Sequence, residues 1–258
     1  MIDLHSHILP GVDDGSPDME HSLALAQVAV ANGITHSLLT PHHMDGKYTN
    51  HKADVIRKTA AFQAALTAHH IPLTVFPGQE VHLTGDLIQA IDDDDILFAD
   101  EGNHYLMLEM PHSHVPNYFL DDILPELEAR DIVPIIVHPE RNQGIQRDPN
   151  LLYELVTNGC LTQLTASSYL DIFGSHVTQL TQQIIDAQMG YVFASDAHNL
   201  QGRNFRMKAA FAKLTKHNGA DMAQRMQANA KKIINGETVT IGNFTKINQH
   251  KKKHFWFF

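Results

Sequence analysis

The chain opens MIDLHSHILPGVDDGS over residues 1–16. Its first five residues form a short, mostly apolar run that predicts a β-strand, and this strand hands over directly to His5-Ser6-His7. Alternate residues of a strand point to one side, so the two imidazoles share a face. Asp13 and Asp14 follow in a loop punctuated by Gly11 and Gly15. A strand that ends in metal-type donors decides the fold only if the pattern repeats, and it does.

Apolar runs of strand length recur at residues 35–40, 73–78, 105–109, 133–138, 161–165 and 191–194. Longer stretches with helical spacing lie at 52–68, 117–129, 150–158, 176–188, 205–216 and 221–235. The first helix is signalled by Ser16 as its cap, Pro17 at its first position, and Asp18 and Glu20 near its positive end. Met19, Leu23, Ala26 and Val30 form its stripe, and Gly33 follows its last turn. Strands alternating with helices predict an α/β protein built on parallel strands. Seven of them predict a TIM-barrel-like barrel, a size that 258 residues serve as one domain. The domain is expected over residues 1–245. Residues 246–258 form a tail of different character, basic at Lys251-Lys252-Lys253 and aromatic at Phe255-Trp256-Phe257-Phe258.

The polar residues at the strand ends carry the chemistry. After His5 and His7 come Pro41-His42-His43, Gly78-Gln79-Glu80, Glu109, His138-Pro139-Glu140-Arg141 and Ser195-Asp196-Ala197-His198. Six of the seven expected strands thus deliver a metal-type donor at one end, the carboxyl end at which α/β barrels build active sites. Imidazole and carboxylate donors without thiolate suit Mn²⁺, Fe²⁺, Zn²⁺ or Co²⁺. The donors outnumber the four of a structural zinc site and suffice for two or three ions. Clustered ions are a device for hydrolysis. Arg141 and Arg203 stand close in sequence to His138 and His198, and guanidinium groups grip phosphate oxygens in pairs.

Composition narrows the class. The formal net charge of −10 disfavours nucleic-acid phosphates as partners. The balance of 43% hydrophobic and 19% charged residues excludes a disordered chain. No apolar run reaches membrane-spanning length, and the start lacks the basic and apolar regions of a signal peptide. A single cysteine, Cys160, permits no internal disulfide. These features predict a cytoplasmic protein. Cys160 is also not the nucleophile of a Cys-x5-Arg phosphatase loop, because Ala166 stands where that loop needs arginine. A buried structural thiol is the expected role.

The stretches MIDLHSHILPGVDDGS, TPHH, PGQE, HPERN and SDAHN, followed by Arg203, resemble the PHP (polymerase and histidinol phosphatase) superfamily. Within it they are similar to the manganese-dependent bacterial tyrosine-protein phosphatases of the CpsB/YwqE type. The resemblance spans residues 1 to about 203. It implies a distorted seven-stranded (β/α)7 barrel and a trinuclear site: His5, His7, Glu80 and Asp196 on one ion, Glu80 bridging to a second held by Glu109 and His138, and Asp14, His42 and His198 on a third. Asp13 and His43 adjoin matched positions and receive no role. The resemblance implies Mn²⁺, Arg141 and Arg203 on the phosphoryl group, and His42 or His198 as donor of a proton to the leaving oxygen. It implies a phosphotyrosine substrate, the tyrosine-rich tail of a bacterial tyrosine kinase that controls capsule or exopolysaccharide synthesis. Tyrosine leaves with a pKa near ~10, so acid assistance matters less than for an alkyl ester. A histidinol-phosphatase-like small-molecule phosphatase, a metal-dependent amidohydrolase and a non-catalytic binding domain with a relic site are the competing readings. The oligomeric state, a homo-oligomer included, stays open, and the tail is not part of the family pattern.

Overall fold

The structure, a computed structural model, describes residues 1–247. All but the first two residues of the basic, aromatic tail lie outside them. Nine strands lie among the described residues: β1 (Ile2–Ser6), β2 (His36–Leu39), β3 (His42–His43), β4 (Thr74–Pro77), β5 (Glu80–His82), β6 (Tyr105–Glu109), β7 (Val133–Val137), β8 (Leu161–Thr165) and β9 (Val192–Ala194). Every pairing is parallel. One sheet has the order β1-β2-β4 and the other β3-β5-β6-β7-β8-β9. The protein is therefore a mixed α/β fold on parallel sheets. The runs Tyr-Leu-Met-Leu of β6 and Ile-Ile-Val of β7 are buried throughout, as strands covered on both faces must be.

The count of nine differs from the expected seven for a local reason. The two further strands, β3 and β5, lie just beyond the expected runs 35–40 and 73–78, each after a short break. Between β2 and β3 stands Pro41, which has no N–H for a ladder. Between β4 and β5 stand Gly78 and Gln79. A Cβ on Gly78 would lie 2.8 Å from Leu38 Cγ, so the close approach there requires glycine. Gln79 turns its side chain to the chain around it, donating to Asn50 O and accepting from Leu97 N. The ladder resumes with His42 opposite Glu80. Beyond β9, Asp196 N donates to His5 O and His7 N donates to Ala197 O, both at 2.9 Å. These bonds tie the last strand's continuation to the first strand.

Helix α1 (Met19–Ala31) begins later than expected. Asp18 is its cap and accepts from His21 N at 2.8 Å, while Pro17 stays outside the helix. Ser16 loses the capping role because its hydroxyl is committed elsewhere, to Asp18 O and to the Ser22 hydroxyl. Helix α2 (Lys52–Ala68) has the expected bounds. The segment after β6 is a π-helical turn over Phe119–Ile123 followed by the short α-helix Leu124–Glu128. The helix Ala220–Ile234 packs on β9 and β1 and buries Met222, Met226, Ala230 and Ile233. Cys160 is fully buried, and burial pushes its thiol pKa upward.

Candidate metal centre

The carboxyl ends of these strands meet in one cluster. His5 and His7, on alternate positions at the end of β1, bring their Nε2 atoms to 3.0 Å of each other. The other nitrogen of each ring is engaged. His5 Nδ1 lies 2.8 Å from Gln163 Oε1, and His7 Nδ1 lies 2.7 Å from Asp13 Oδ2. An amide oxygen and a carboxylate only accept, so each Nδ1 carries the proton. In the neutral rings both Nε2 lone pairs then face the same point. Glu80 Oε2 joins them at 3.2 and 3.1 Å, and Asp196 Oδ1 at 3.6 and 3.5 Å. Four lone-pair donors cannot converge in a buried site without a positive charge among them. In the bare protein that charge is a proton. Burial opposes it, but Asp13 and Glu80 outweigh burial and raise the His7 pKa to about 9. A divalent cation fits the same donors and satisfies all of them.

The remaining expected donors lie alongside. His138 Nε2 is 2.7 Å from Glu80 Oε1 and 3.8 Å from Glu109 Oε1. His42 Nδ1 is 3.0 Å from Glu80 Oε2, and Asp14 Oδ1 is 3.4 Å from both His42 Nε2 and His198 Nε2. Ligand atoms fall into four overlapping groups of cation size: His7 with Asp14, His42 and His198; His5 with Glu80 and His138; His5 with His7 and Asp196; and His42 with Glu80 and Glu109. All nine expected donors are thus brought together, with His5, His7, His42 and Glu80 each shared between two groups. Glu109 falls in with His42 as well as near His138. Buried His42 Nδ1 and His198 Nε2 lie beside carboxylate oxygens of Glu80 and Asp14 without a well-formed hydrogen bond to them, a geometry that suits nitrogens and oxygens directed at a shared cation.

The loop of residues 8–16 is folded back over His7. Ser16 N donates to His7 O at 3.0 Å, and Gly15 N donates to Asp13 Oδ1 at 2.9 Å. A Cβ on residue 15 would stand 2.0 Å from His7 O, so only glycine fits. This contact sends Asp13 to the outer nitrogen of His7 and Asp14 to the neighbouring group. Two donors sit at left-handed backbone positions, His138 at φ 34° and Asp196 at φ 51°. For a residue such as histidine this conformation costs roughly 1–3 kcal/mol and clusters at functional sites.

Charge is strongly polarised in the cluster. Burial resists ionisation of Asp196, yet Arg141 and Arg203 hold its carboxyl well below the usual range. Arg203 Nη2 contacts both Asp196 oxygens at 2.8–2.9 Å, and Arg141 Nη1 pairs with Oδ2. Both arginines therefore grip a buried donor. Arg203 Nε is buried without a partner, and the Arg141 guanidinium lies 5.1 Å from the Phe173 ring centre. Burial disfavours charge on His42, but Glu80 and Asp14 raise its pKa to about 12. Burial and the charge of His7 push His198 down to about 4.

His43 is separated from the cluster. As the neighbour of His42 on a strand it points the other way, toward Asp95 Oδ2 at 3.8 Å. Two residues escape the sequence reading, Gln163 and His82, and Asp13, named there without a role, gains one. Asp13 and Gln163 hold the β1 histidines, and His82 Nδ1 lies 3.0 Å from Glu109 Oε2. His82 carried a usable signal, since it stands two residues past Glu80 as His7 stands two past His5.

The His, Asp and Glu cluster is a candidate metal site at the strand ends of a parallel α/β architecture. An organophosphorus hydrolase mutant shares that architecture, with a TM-score of 0.52 at 10% identity over 90% of this chain and 92% of its own. Residues 1–235 match the family described as "Capsular polysaccharide synthesis, CpsB/CapC", and the chain belongs to that family. It is 36% identical over 239 residues to tyrosine-protein phosphatase YwqE of Bacillus subtilis (strain 168), covering 93% of each chain. It is 35% identical over 211 residues to the putative tyrosine-protein phosphatase CapC of Staphylococcus aureus, covering 82% of each. A solved structure from work on YwqE and on CpsB of Streptococcus pneumoniae, described as metal-dependent tyrosine phosphatases, superposes with a TM-score of 0.93 at 34% identity. It covers 96% of this chain and 100% of its own.

Proposed function

We infer that this chain is a metal-dependent tyrosine-protein phosphatase acting in capsular or exopolysaccharide synthesis, on the tyrosine-rich tail of a bacterial tyrosine kinase. The observation that carries the reading is the convergence of His5 and His7 Nε2 with Glu80 and Asp196, their outer nitrogens already engaged. We assign His5, His7, Glu80 and Asp196 to one ion, Glu80, Glu109 and His138 to a second, and Asp14, His42 and His198 to a third. Mn²⁺ is the proposed metal, with Fe²⁺, Zn²⁺ and Co²⁺ suited to the same donors. The two sheets are read as one distorted seven-stave barrel, with β2 and β3 one stave and β4 and β5 another. Residues 1–245 form its single domain. Among the described residues no helix is long and apolar enough to cross a membrane, and the cytoplasm is the proposed compartment.

Bound divalent ions supply Lewis acidity and lower the pKa of a water. The protein supplies the rest. Arg203, with its Nε unpartnered, and Arg141 turn donors to the non-bridging phosphoryl oxygens and offset the charge that grows there. His42 stands at the edge of the cluster, mostly buried with its side chain 14% exposed, and is placed to hand a proton to the departing tyrosine oxygen. His198, almost fully buried, is better placed to hold the ion beside it.

The test compares turnover of a phosphotyrosine peptide, histidinol phosphate and an N-acetylated substrate, before and after chelation and after thiol alkylation. The expected result is preference for the peptide, loss of activity on chelation, recovery with Mn²⁺, and indifference to alkylation because Cys160 is buried. Preference for histidinol phosphate or the N-acetyl substrate would overturn the substrate assignment. Activity that survives chelation would overturn the metal.

A further inference from the structure

Strand β8 is the one stave that sends no metal-type donor to the cluster, yet it crosses beneath it. We propose that Gln163 on β8 is the positioning residue of the centre, holding His5 in the tautomer that leaves Nε2 free for metal. The inference rests on the metal reading above, not on the substrate.

Gln163 is fully buried. Its side-chain oxygen accepts from His5 Nδ1–H at 2.8 Å, and its backbone oxygen accepts from His138 N at 2.8 Å. One residue thus fixes two proposed ligands from opposite sides, one through its ring and one through its main chain. The second contact bears on His138, whose left-handed backbone has little intrinsic preference for its position. An outer hydrogen bond that sets the ring orientation and tautomer of a metal-bound histidine is worth 10–100-fold in affinity in other proteins.

The other half of the Gln163 amide argues that this role, and not packing, keeps the residue. Its Nε2 is buried and has no hydrogen-bond partner. A buried donor left unsatisfied destabilises a fold, and an apolar residue of the same shape would avoid that cost. The acceptor oxygen is what an apolar residue cannot supply.

The choice of an amide also has an electrostatic reason. His7 is held by a carboxylate, Asp13, and Glu80 and Asp196 are buried within the same cluster. A neutral acceptor behind His5 orients the ring without adding a further buried negative charge.

The experiment titrates the chelated wild type, Gln163→Met and Gln163→Glu with Mn²⁺, and records the visible absorption of each with Co²⁺ alone. Methionine keeps the unbranched shape and removes the strong acceptor; glutamate restores an acceptor oxygen. Gln163→Met is expected to bind Mn²⁺ ~10–100-fold more weakly, with an altered Co²⁺ spectrum and an unchanged melting temperature of the metal-free protein. Gln163→Glu is expected to regain most of the affinity and the wild-type spectrum. Should the Met variant misfold, Gln163→Leu takes its place. Wild-type affinity and spectrum in the variant lacking the acceptor would overturn the proposal, as would equal weakening by Met and Glu, which marks packing alone. Wild-type protein that binds neither ion would overturn the metal reading itself, a result distinct from both.

Discussion

Beside the starts of β1, β2 and β6 runs a groove of about 920 Å³, bordered by Ile2, His36, Phe76, Leu97 and Ile234. At the opposite end of the strands, Glu109 and His138 border only a small hollow. The larger space is lined by a common surface mixture, apolar at Ile2, Leu38 and Phe76 and charged at Lys52, Glu101 and Lys231, with His36 stacked on Phe76. The smaller one adjoins buried carboxylates, lone pairs aimed at one another and two left-handed residues. Local conflict marks the functional end better than volume does, because a fold tolerates such conflict only where something else requires it. The first region holds no such convergence of buried donors, whereas the second needs a positive charge among its donors.

The sharpest way to break this contrast is at the arginines. Replacing Arg141 or Arg203 with alanine is expected to lower kcat/KM by ~10²–10³, the usual cost of a lost transition-state donor. Because both grip a carboxylate that is 1% exposed, each variant is also expected to melt at a lower temperature than the wild type, unlike the loss of a surface arginine. Lysine is expected to rescue activity only in part, since it lacks the planar fork. Steady-state kinetics with metal analysis checks this, and wild-type kcat/KM in both alanine variants would remove the arginines from the site.

A smaller effect concerns Asp3, one strand turn below the cluster. Burial raises its pKa to about 6 from 3.8, against hydrogen bonds from Ser195 and His5 N that lower it. The folded state holds this proton more tightly than the unfolded chain does. Stability therefore falls as pH rises from about 4 to about 6, by about 3 kcal/mol for a shift of roughly two units. Asp3→Asn is expected to remove that slope, so that the difference in urea midpoint between variant and wild type grows across this window and is flat above it. Measurements on chelated protein keep metal binding out of the comparison; a constant difference would sink the assignment.

The smallest effect is expected in the groove. Ile56 there is 43% exposed, and Ile56→Ser should leave kcat/KM near wild type and change stability by about 0.5 kcal/mol or less. A large loss of activity would mean that the two ends are coupled.

What the sequence reveals follows the same division. Strands β6 and β8 have the expected bounds, because apolar runs with turn residues at their ends are local signals. The donors at strand ends were legible because a strand end has a fixed place in a parallel α/β fold. The interruptions at Pro41 and Gln79 were not, since whether a strand resumes depends on a neighbouring strand and not on its own composition. Ser16 misled because a hydroxyl two residues before Asp18 can cap a helix or bond within a turn, and only the fold selects. Gln163 was invisible for a related reason: a glutamine inside a strand has no distinctive spacing, and its meaning comes from an imidazole 158 positions away.

The bonds that tie Asp196 and Ala197 to the first strand have a consequence for how the molecule is made. A growing chain exposes His5 and His7 at once, but their partners arrive in succession, and the last of the proposed set, Arg203, emerges only after most of the sequence has been synthesised. Contacts of such long separation are late to form. The complete set thus marks a chain made at least as far as residue 203: a product that stops between residues 198 and 203 keeps every proposed ligand and lacks Arg203.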